Sequence, residues 1–210
     1  DAIEMYKSES NYVPFLADTE RKIPAPDLPQ AGDTRSMHFV ILKYLESQRK
    51  NFYLDFADLI QFTLYLFDTH PELLEKWQKQ FEYIQIDEFQ DVSGEQYKLA
   101  RRLAGKHKNL FIVGDPDQTI YSWRGADVRF FLDFEKKFEG AKTIVLDKNY
   151  RSTPEILAVS NSLISRNEGR VKKELKAVRQ SGQMPRYRHA RSRAEESDAL
   201  AGEIAALHEG

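Results

Sequence analysis

Cysteine is absent from the 210 residues. That excludes a disulfide framework, a thiolate metal site and a cysteine nucleophile, and it fits a reducing compartment. Also missing is any apolar run near the roughly 18 residues of a membrane span, and no signal-peptide pattern opens the sequence. A cytoplasmic protein with no membrane partner is therefore the expectation. A strong net charge is lacking too: at −2 there is no global pull toward nucleic acid or an anionic surface. Locally the balance differs. Between Arg166 and Arg193 ten Lys or Arg face only Glu168 and Glu174. Such a run fits either phosphate contacts along a nucleic-acid strand or a solvated surface. An initiator Met is absent as well. DAIEMYKSES starts as if in mid-helix and AALHEG stops just after a helical stretch, so a piece of a longer protein is expected.

What is present suffices for a packed core, with 41% hydrophobic and 12% aromatic residues. Residues 20–35 (ERKIPAPDLPQAGDTR) hold three prolines and read as a loop. Helical spacing of apolar residues covers 37–45 and 54–67, with Asp55 placed to cap the second, and Pro71 opens a third helix. From residue 83 the texture alternates. Strands are predicted at 83–86, 109–113, 143–146 and, less regularly, 186–190. Helices are predicted at 95–104, 127–138, 154–165 and 194–207, the last amphipathic. Residues 166–184 read as irregular. This alternation predicts a parallel α/β sheet flanked by helices, preceded by a helical N-terminal lobe.

In such sheets ligands sit outside the carboxyl ends of the strands. Two candidate loops lie there. IQIDEFQD (84–91) ends a strand with Asp87 and Glu88. An aspartate there can hold Mg²⁺, and a neighbouring glutamate can activate a water against phosphorus; alternatively the pair simply caps the next turn. GDPDQTIYSWRGAD (114–127) follows the next strand. Gln118 could sense a phosphate by hydrogen bonding. Tyr121 and Trp123 could stack on bases or anchor the loop in the core. Arg124 could pair with a phosphate or with the acidic motif. A third stretch, LDKNYRSTPEI (146–156), sets Tyr150 and Arg151 before a helix that Ser152 or Thr153 can cap. Arg at a helix entrance suits a phosphate and Tyr a nucleobase, while a capped helix with an incidental ion pair serves as well.

In order and spacing, YIQIDEFQD, VGDPDQTIYSWRGAD and LDKNYRSTPEI resemble motifs II, III and IV of superfamily 1A DNA helicases, the UvrD/PcrA/Rep family. YLDFADLI (53–60) resembles the helix leading into motif II, and NEGRVKKEL (167–175) the segment after motif IV. The resemblance spans 53–208. It implies a RecA-like (P-loop NTPase) α/β fold in partial domains: the end of a helical 1B-like subdomain (1–52), the second half of domain 1A (53–145) and the first part of domain 2A (146–210).

By the same resemblance, Asp87 would coordinate Mg²⁺ and Glu88 would be the general base for ATP hydrolysis. Gln118 would contact the γ-phosphate or its attacking water. Trp123 would be the main base-stacking platform, with Tyr121 and Arg124 along the same single-stranded DNA track. Tyr150 would stack on adenine, and Arg151 would act as an arginine finger across an interdomain cleft. The implied function is ATP-dependent 3′-to-5′ movement along single-stranded DNA, with single-strand/duplex junctions as partners. Two departures qualify this. Ala104-Gly105-Lys106-His107, the nearest approach to a phosphate-binding loop, lacks the Ser or Thr after its lysine and the first glycine. Gln85 interrupts a strand that is apolar in the family. Asp117 and Trp123 stand where the AddA/RecB helicase-nuclease branch carries Lys and Phe. The rival readings are that branch and a non-catalytic DNA-binding or interaction module.

Overall fold

A computed structural model describes residues 2–9, 12–18, 20–21 and 34–208. The proline-rich stretch expected to form a loop at 20–35 lies mostly outside the described residues. The chain divides into two compact units, Asp1–Thr143 and Ile144–Gly210.

The first unit begins with helices α1 (Ala2–Glu9), α2 (Val13–Ala17), α3 (Thr34–Asn51), α4 (Phe56–Thr69) and α5 (Pro71–Gln80). Asp55 caps α4 as expected. Its carboxylate accepts the Asp58 N–H at 3.0 Å, and the Asp58 carboxylate accepts the Asp55 N–H at 2.8 Å, a reciprocal capping box. Pro71 both ends α4 and starts α5. Proline pushes the preceding residue away from helical angles, and His70 sits at φ −132°, ψ 77°.

Around this cap lies a buried ionic network that hydropathy patterning gave no sign of. The Lys7 ammonium, whose side chain is fully buried, donates to Asp58 at 2.6 Å, Asp55 at 2.6 Å and Gln48 at 2.9 Å. Tyr12 donates to Asp58 at 2.6 Å and Tyr44 to Asp55 at 2.7 Å. Gln48 returns a bond to Asp58 at 2.6 Å. Helices α1, α2 and α3 are thereby tied to the start of α4, and an apolar cluster of Tyr6, Val13, Phe15, Ile41 and Leu45 closes over them. Burial raises the Tyr12 hydroxyl pKa, and its bond to Asp58 raises it further. For Asp55 burial alone would raise the carboxyl, but bonds from Lys7, Tyr44 and the Asp58 backbone outweigh it and hold it at about 2.

Two parallel strands follow, β1 (Ile84–Ile86) and β2 (Leu110–Ile112), in the register Ile84↔Leu110, Gln85↔Phe111, Ile86↔Ile112. Helix α6 (Gly94–Ala104) joins them, with Ser93 and Gln96 forming its capping box. The sheet is two-faced. Ile86 and Ile112 pack into the core, whereas Gln85 and Phe111, paired on the opposite face, are exposed. Gln85 in a strand is thus tolerated because its face is open to solvent in this chain.

The helix expected over 127–138 is broken at Asp133 (φ −95°, ψ 9°) into α7 (Arg129–Leu132) and α8 (Phe134–Lys137). Aspartate is a poor interior residue, and here its carboxylate takes the Lys136 ammonium at 2.8 Å.

The second unit holds β3 (Lys148–Asn149) and β4 (Lys176–Ala177), also parallel, and helices α9 (Pro154–Ile164) and α10 (Arg193–His208). Residues 143–146, expected as a strand, form none. Ile144 and Leu146 are exposed and the segment has no ladder partner among the described residues. Residues 186–190 form no strand either; they are mostly basic and Tyr187 is exposed, so nothing rewards pairing. Conversely 166–184 is not wholly irregular. Asn161 on α9 exchanges bonds with the Leu175 backbone at 3.0 and 3.3 Å, seating β4 beside β3. Helix α10 forms, but Leu200, Ile204 and Leu207, which share a face at i, i+4 and i+7, are exposed, and Glu196 and Glu203 stand on the same side, so no clear apolar face results. The amphipathic reading of 194–207 is corrected accordingly.

Two outcomes follow from the buried network. Lys7→Met leaves the Asp58 carboxylate buried without its cation and should cost about 3–5 kcal/mol in urea unfolding; an unchanged midpoint would contradict it. Because the folded pKa of Asp55 is depressed, its contribution is complete above its ordinary 3.8 and disappears as pH falls through about 2. Asp55→Asn should therefore shrink the stability difference between those two pH values.

Candidate nucleotide and nucleic-acid site

The turn after β1 is pinned from below by one ring. Phe89 is fully buried, with Tyr97, Phe131 and Phe134 around it at centroid distances of 6.2, 6.1 and 6.1 Å. Tyr97 and Phe130 stack behind at 4.3 Å. The strand ladder also runs one step beyond the strands: Val113 N–H donates to Ile86 O at 2.8 Å, and Phe89 N–H to Val113 O at 2.9 Å. With Phe89 held inward, Asp87 and Glu88 are left exposed at the carboxyl end of β1. Glu88 takes left-handed angles, φ 50° and ψ 41°, which cost a non-glycine residue roughly 1–2 kcal/mol. Strain of this kind concentrates where a side chain must be aimed.

Asp87 accepts the Glu88 N–H at 2.9 Å. Ile86, Asp87, Glu88, Asp91, Val92 and Gln96 line an open depression of about 370 Å³. Asp91 Oδ1 is buried there without a hydrogen-bond partner. A buried orphan carboxylate oxygen beside two further acids suits a cation. No group of three or more His, Cys, Asp or Glu converges into a cage among the described residues. Mg²⁺ needs none, since it is usually held by one or two carboxylates together with nucleotide phosphates. The donor set therefore fits Mg²⁺.

Gly114 brings the second loop against this turn. A Cβ there would lie 2.4 Å from Gln90 Oε1, 3.0 Å from the Phe89 nitrogen and 3.1 Å from Phe131. Gln90 is 2% exposed and spans the two loops, donating to Glu88 Oε2 at 2.8 Å and accepting the Asp115 N–H at 3.0 Å. The loop is braced further by Asp115, which accepts the Asp117 N–H at 3.0 Å and the Gln118 amide at 2.9 Å. Gln90, Asp91 and Asp115 were not singled out by sequence reasoning. The sequence signal for them was a glycine directly after a strand, opposite a glutamine in the neighbouring strand-end turn.

Beyond Asp115 the chain carries the two aromatics outward. Trp123 is 68% exposed, and Tyr121 is more than a third exposed. Their centroids are 6.3 Å apart at 58°, and the Arg124 guanidinium lies 5.8 and 5.7 Å from them. The alternative of both rings anchoring the loop in the core does not hold, for Trp123 above all. Gly125, at φ 84°, supplies the left-handed turn that ends this excursion, and Ser93 pairs with Ala126 across it.

Tyr150 and Arg151 lie in the second unit, between β3 and α9, both exposed. Asn149 accepts the N–H groups of Arg151 at 3.0 Å and Ser152 at 2.7 Å. Thr153 occupies the helix cap position without a side-chain cap bond, so Asn149 rather than Ser152 or Thr153 organises the helix entrance. From the far side, Arg179 donates to the Arg151 carbonyl at 2.9 Å, and Glu155 accepts from Ser181 and from the Gly182 N–H. Those bonds hold the Glu155 carboxyl down at about 2. The middle of the basic stretch thus buttresses the Tyr150–Arg151 corner.

Strand-end carboxylates beside a loop with outward aromatics place a candidate ligand site outside the carboxyl ends of the strands, as is usual in α/β proteins. The chain belongs to the UvrD/REP helicase family. Residues 14–139 match the UvrD/REP helicase N-terminal domain and 144–210 the UvrD-like helicase C-terminal domain, which implies a RecA-like α/β fold. Over 188 residues the chain is 43% identical to the ATP-dependent DNA helicase PcrA of Staphylococcus aureus, and equally to that of Staphylococcus epidermidis. The match covers 88% of this chain and 26% of each relative, so the chain spans about a quarter of their length. No helix among the described residues is long and apolar enough to cross a membrane.

Gly114→Ala tests the close approach of the two loops. The added methyl has no room unless Gln90 moves, so a loss of about 1–3 kcal/mol is expected in urea unfolding; an unaltered midpoint would show the loops are not in contact.

Proposed function

We propose that the protein carrying this chain is an ATP-dependent DNA helicase that hydrolyses Mg-ATP and steps 3′ to 5′ along single-stranded DNA, engaging single-strand/duplex junctions. One observation carries the reading: the exposed Asp87–Glu88 pair and the loop bearing Trp123 leave adjacent parallel strands at the same end. Family membership and the name of the Staphylococcus relatives support it.

In this reading Asp87, with Asp91 beside it, holds Mg²⁺, which when bound neutralises charge on the nucleotide phosphates. Glu88 accepts a proton from the attacking water. One of its oxygens is held by Gln90, and the other can take the proton. Gln118 contacts the γ-phosphate or its water, exchanging its present bond to Asp115. Trp123, Tyr121 and Arg124 grip single-stranded DNA by stacking and charge. Tyr150 stacks on adenine, and Arg151 stabilises transition-state charge from the second RecA-like domain. Residues 1–52 are then the end of subdomain 1B, 53–145 half of domain 1A and 146–210 the start of domain 2A, in a cytoplasmic protein. Asp117 and Trp123 favour this branch over AddA/RecB.

A second reading has its own observation. The sequence contains no complete phosphate-binding loop, so these 210 residues alone would be a DNA-binding module without turnover.

The test is ATPase activity with and without a single-stranded oligonucleotide. The full-length protein should hydrolyse ATP with DNA stimulation, Glu88→Gln should lower kcat at least a hundredfold, and the 210-residue chain should show no hydrolysis. Full activity in Glu88→Gln overturns the assignment of the base. Trp123→Ala should weaken oligonucleotide binding by about 1–3 kcal/mol; unchanged anisotropy titrations would remove its stacking role.

A further inference from the structure

Gln90 is a neutral amide buried between two groups that each accept only one of its ends. Glu88 Oε2, a carboxylate oxygen, can take only the NH₂, which donates to it at 2.8 Å. The Asp115 N–H can be met only by the carbonyl, which accepts it at 3.0 Å. A flipped amide would oppose two acceptors on one side and two donors on the other, so the orientation is fixed by chemistry. Burial at 2% exposure shuts out water as a substitute partner, and the Oε1 atom is wedged against Gly114. A second, longer approach of the NH₂ to Asp91 Oδ2, at 3.5 Å, points the same way. From Asp115 the connection continues to Gln118 at 2.9 Å, on the loop that leads to Tyr121 and Trp123.

We propose that Gln90 is a positioning residue: it fixes the Glu88 carboxylate against the Asp115–Gln118 loop, so that a displacement of the aromatic loop re-aims Glu88. This deepens the helicase reading and rests on it for its catalytic consequence, while the physical link can be tested without catalysis. Glutamine suits the position because a carboxylate there would repel Glu88 and offer it no donor. A leucine would take away the acceptor that Gln90 offers the Asp115 N–H, and an asparagine is one methylene too short to reach both partners.

The experiment has two arms. In the 210-residue chain, Gln90→Glu should lower the unfolding midpoint, and adding Glu88→Gln should restore it. In that pair the NH₂ sits at position 88 and donates to the carboxylate at 90, which still accepts the Asp115 N–H. An unaltered midpoint in Gln90→Glu, or one that Glu88→Gln does not recover, overturns the link. In the full-length protein, Gln90→Leu should cut the kcat of DNA-stimulated hydrolysis at least tenfold, with the KM for ATP and the Kd for a single-stranded oligonucleotide within twofold. An active wild type with unaffected Gln90→Leu kcat, or a KM that worsens in step with kcat, overturns the positioning role alone. A wild type that shows no DNA-dependent hydrolysis overturns the helicase reading and the catalytic consequence together, leaving the midpoint arm to decide the link.

Discussion

Two loops meet over a missing side chain. At Gly114 the backbone comes so close to Gln90 and Phe89 that no Cβ fits, and the rest of the first unit's site depends on that approach. Phe89 sits in an aromatic nest below it, which leaves the preceding residue, Glu88, exposed and in a left-handed conformation. Gln90 then fills the contact as a polar bridge. Burying an amide is acceptable because both of its ends are satisfied. The result is a charged tip on a rigid apolar foundation, the arrangement in which a carboxylate keeps its aim while remaining wet.

Much of this was legible from particular residues. Asp55 before an apolar run and Pro71 at a helix start are local chemistry, and each formed the cap or boundary its side chain dictates. The strands around Ile84–Ile86 and Leu110–Ile112 were legible for the same reason, being short apolar runs whose partner lies within the chain. Residues 143–146 looked equally strand-like, yet a strand is a pairing rather than a property of four residues, and no partner flanks them among the described residues. Asp133 broke a helix that apolar spacing alone would have continued.

The polar interior was the least legible part. Lys7, Gln48, Asp55 and Asp58 are scattered over the first 58 residues, and hydropathy treats each as surface. Only the tertiary approach of four helices makes them one network, in which every acid finds a cation, phenol or amide. Gln90 was hidden in the same way, inside a motif whose acids draw the attention. In the second unit, Asn149 and the Arg179–Gly182 segment organise the Tyr150–Arg151 corner across a gap of nearly thirty residues, a contact that local sequence cannot announce.

The central claim is that nucleotide chemistry and the grip on DNA share one strand-end scaffold. The most direct measurement is stopped-flow fluorescence of 2-aminopurine in a single-stranded oligonucleotide bound to the full-length protein, on mixing with Mg-ATP. The account predicts a signal change on ATP binding that reverses with turnover, fails to reverse in Glu88→Gln, and is absent in Trp123→Ala. A bound base whose fluorescence ignores ATP, in a protein that hydrolyses it, would contradict the claim.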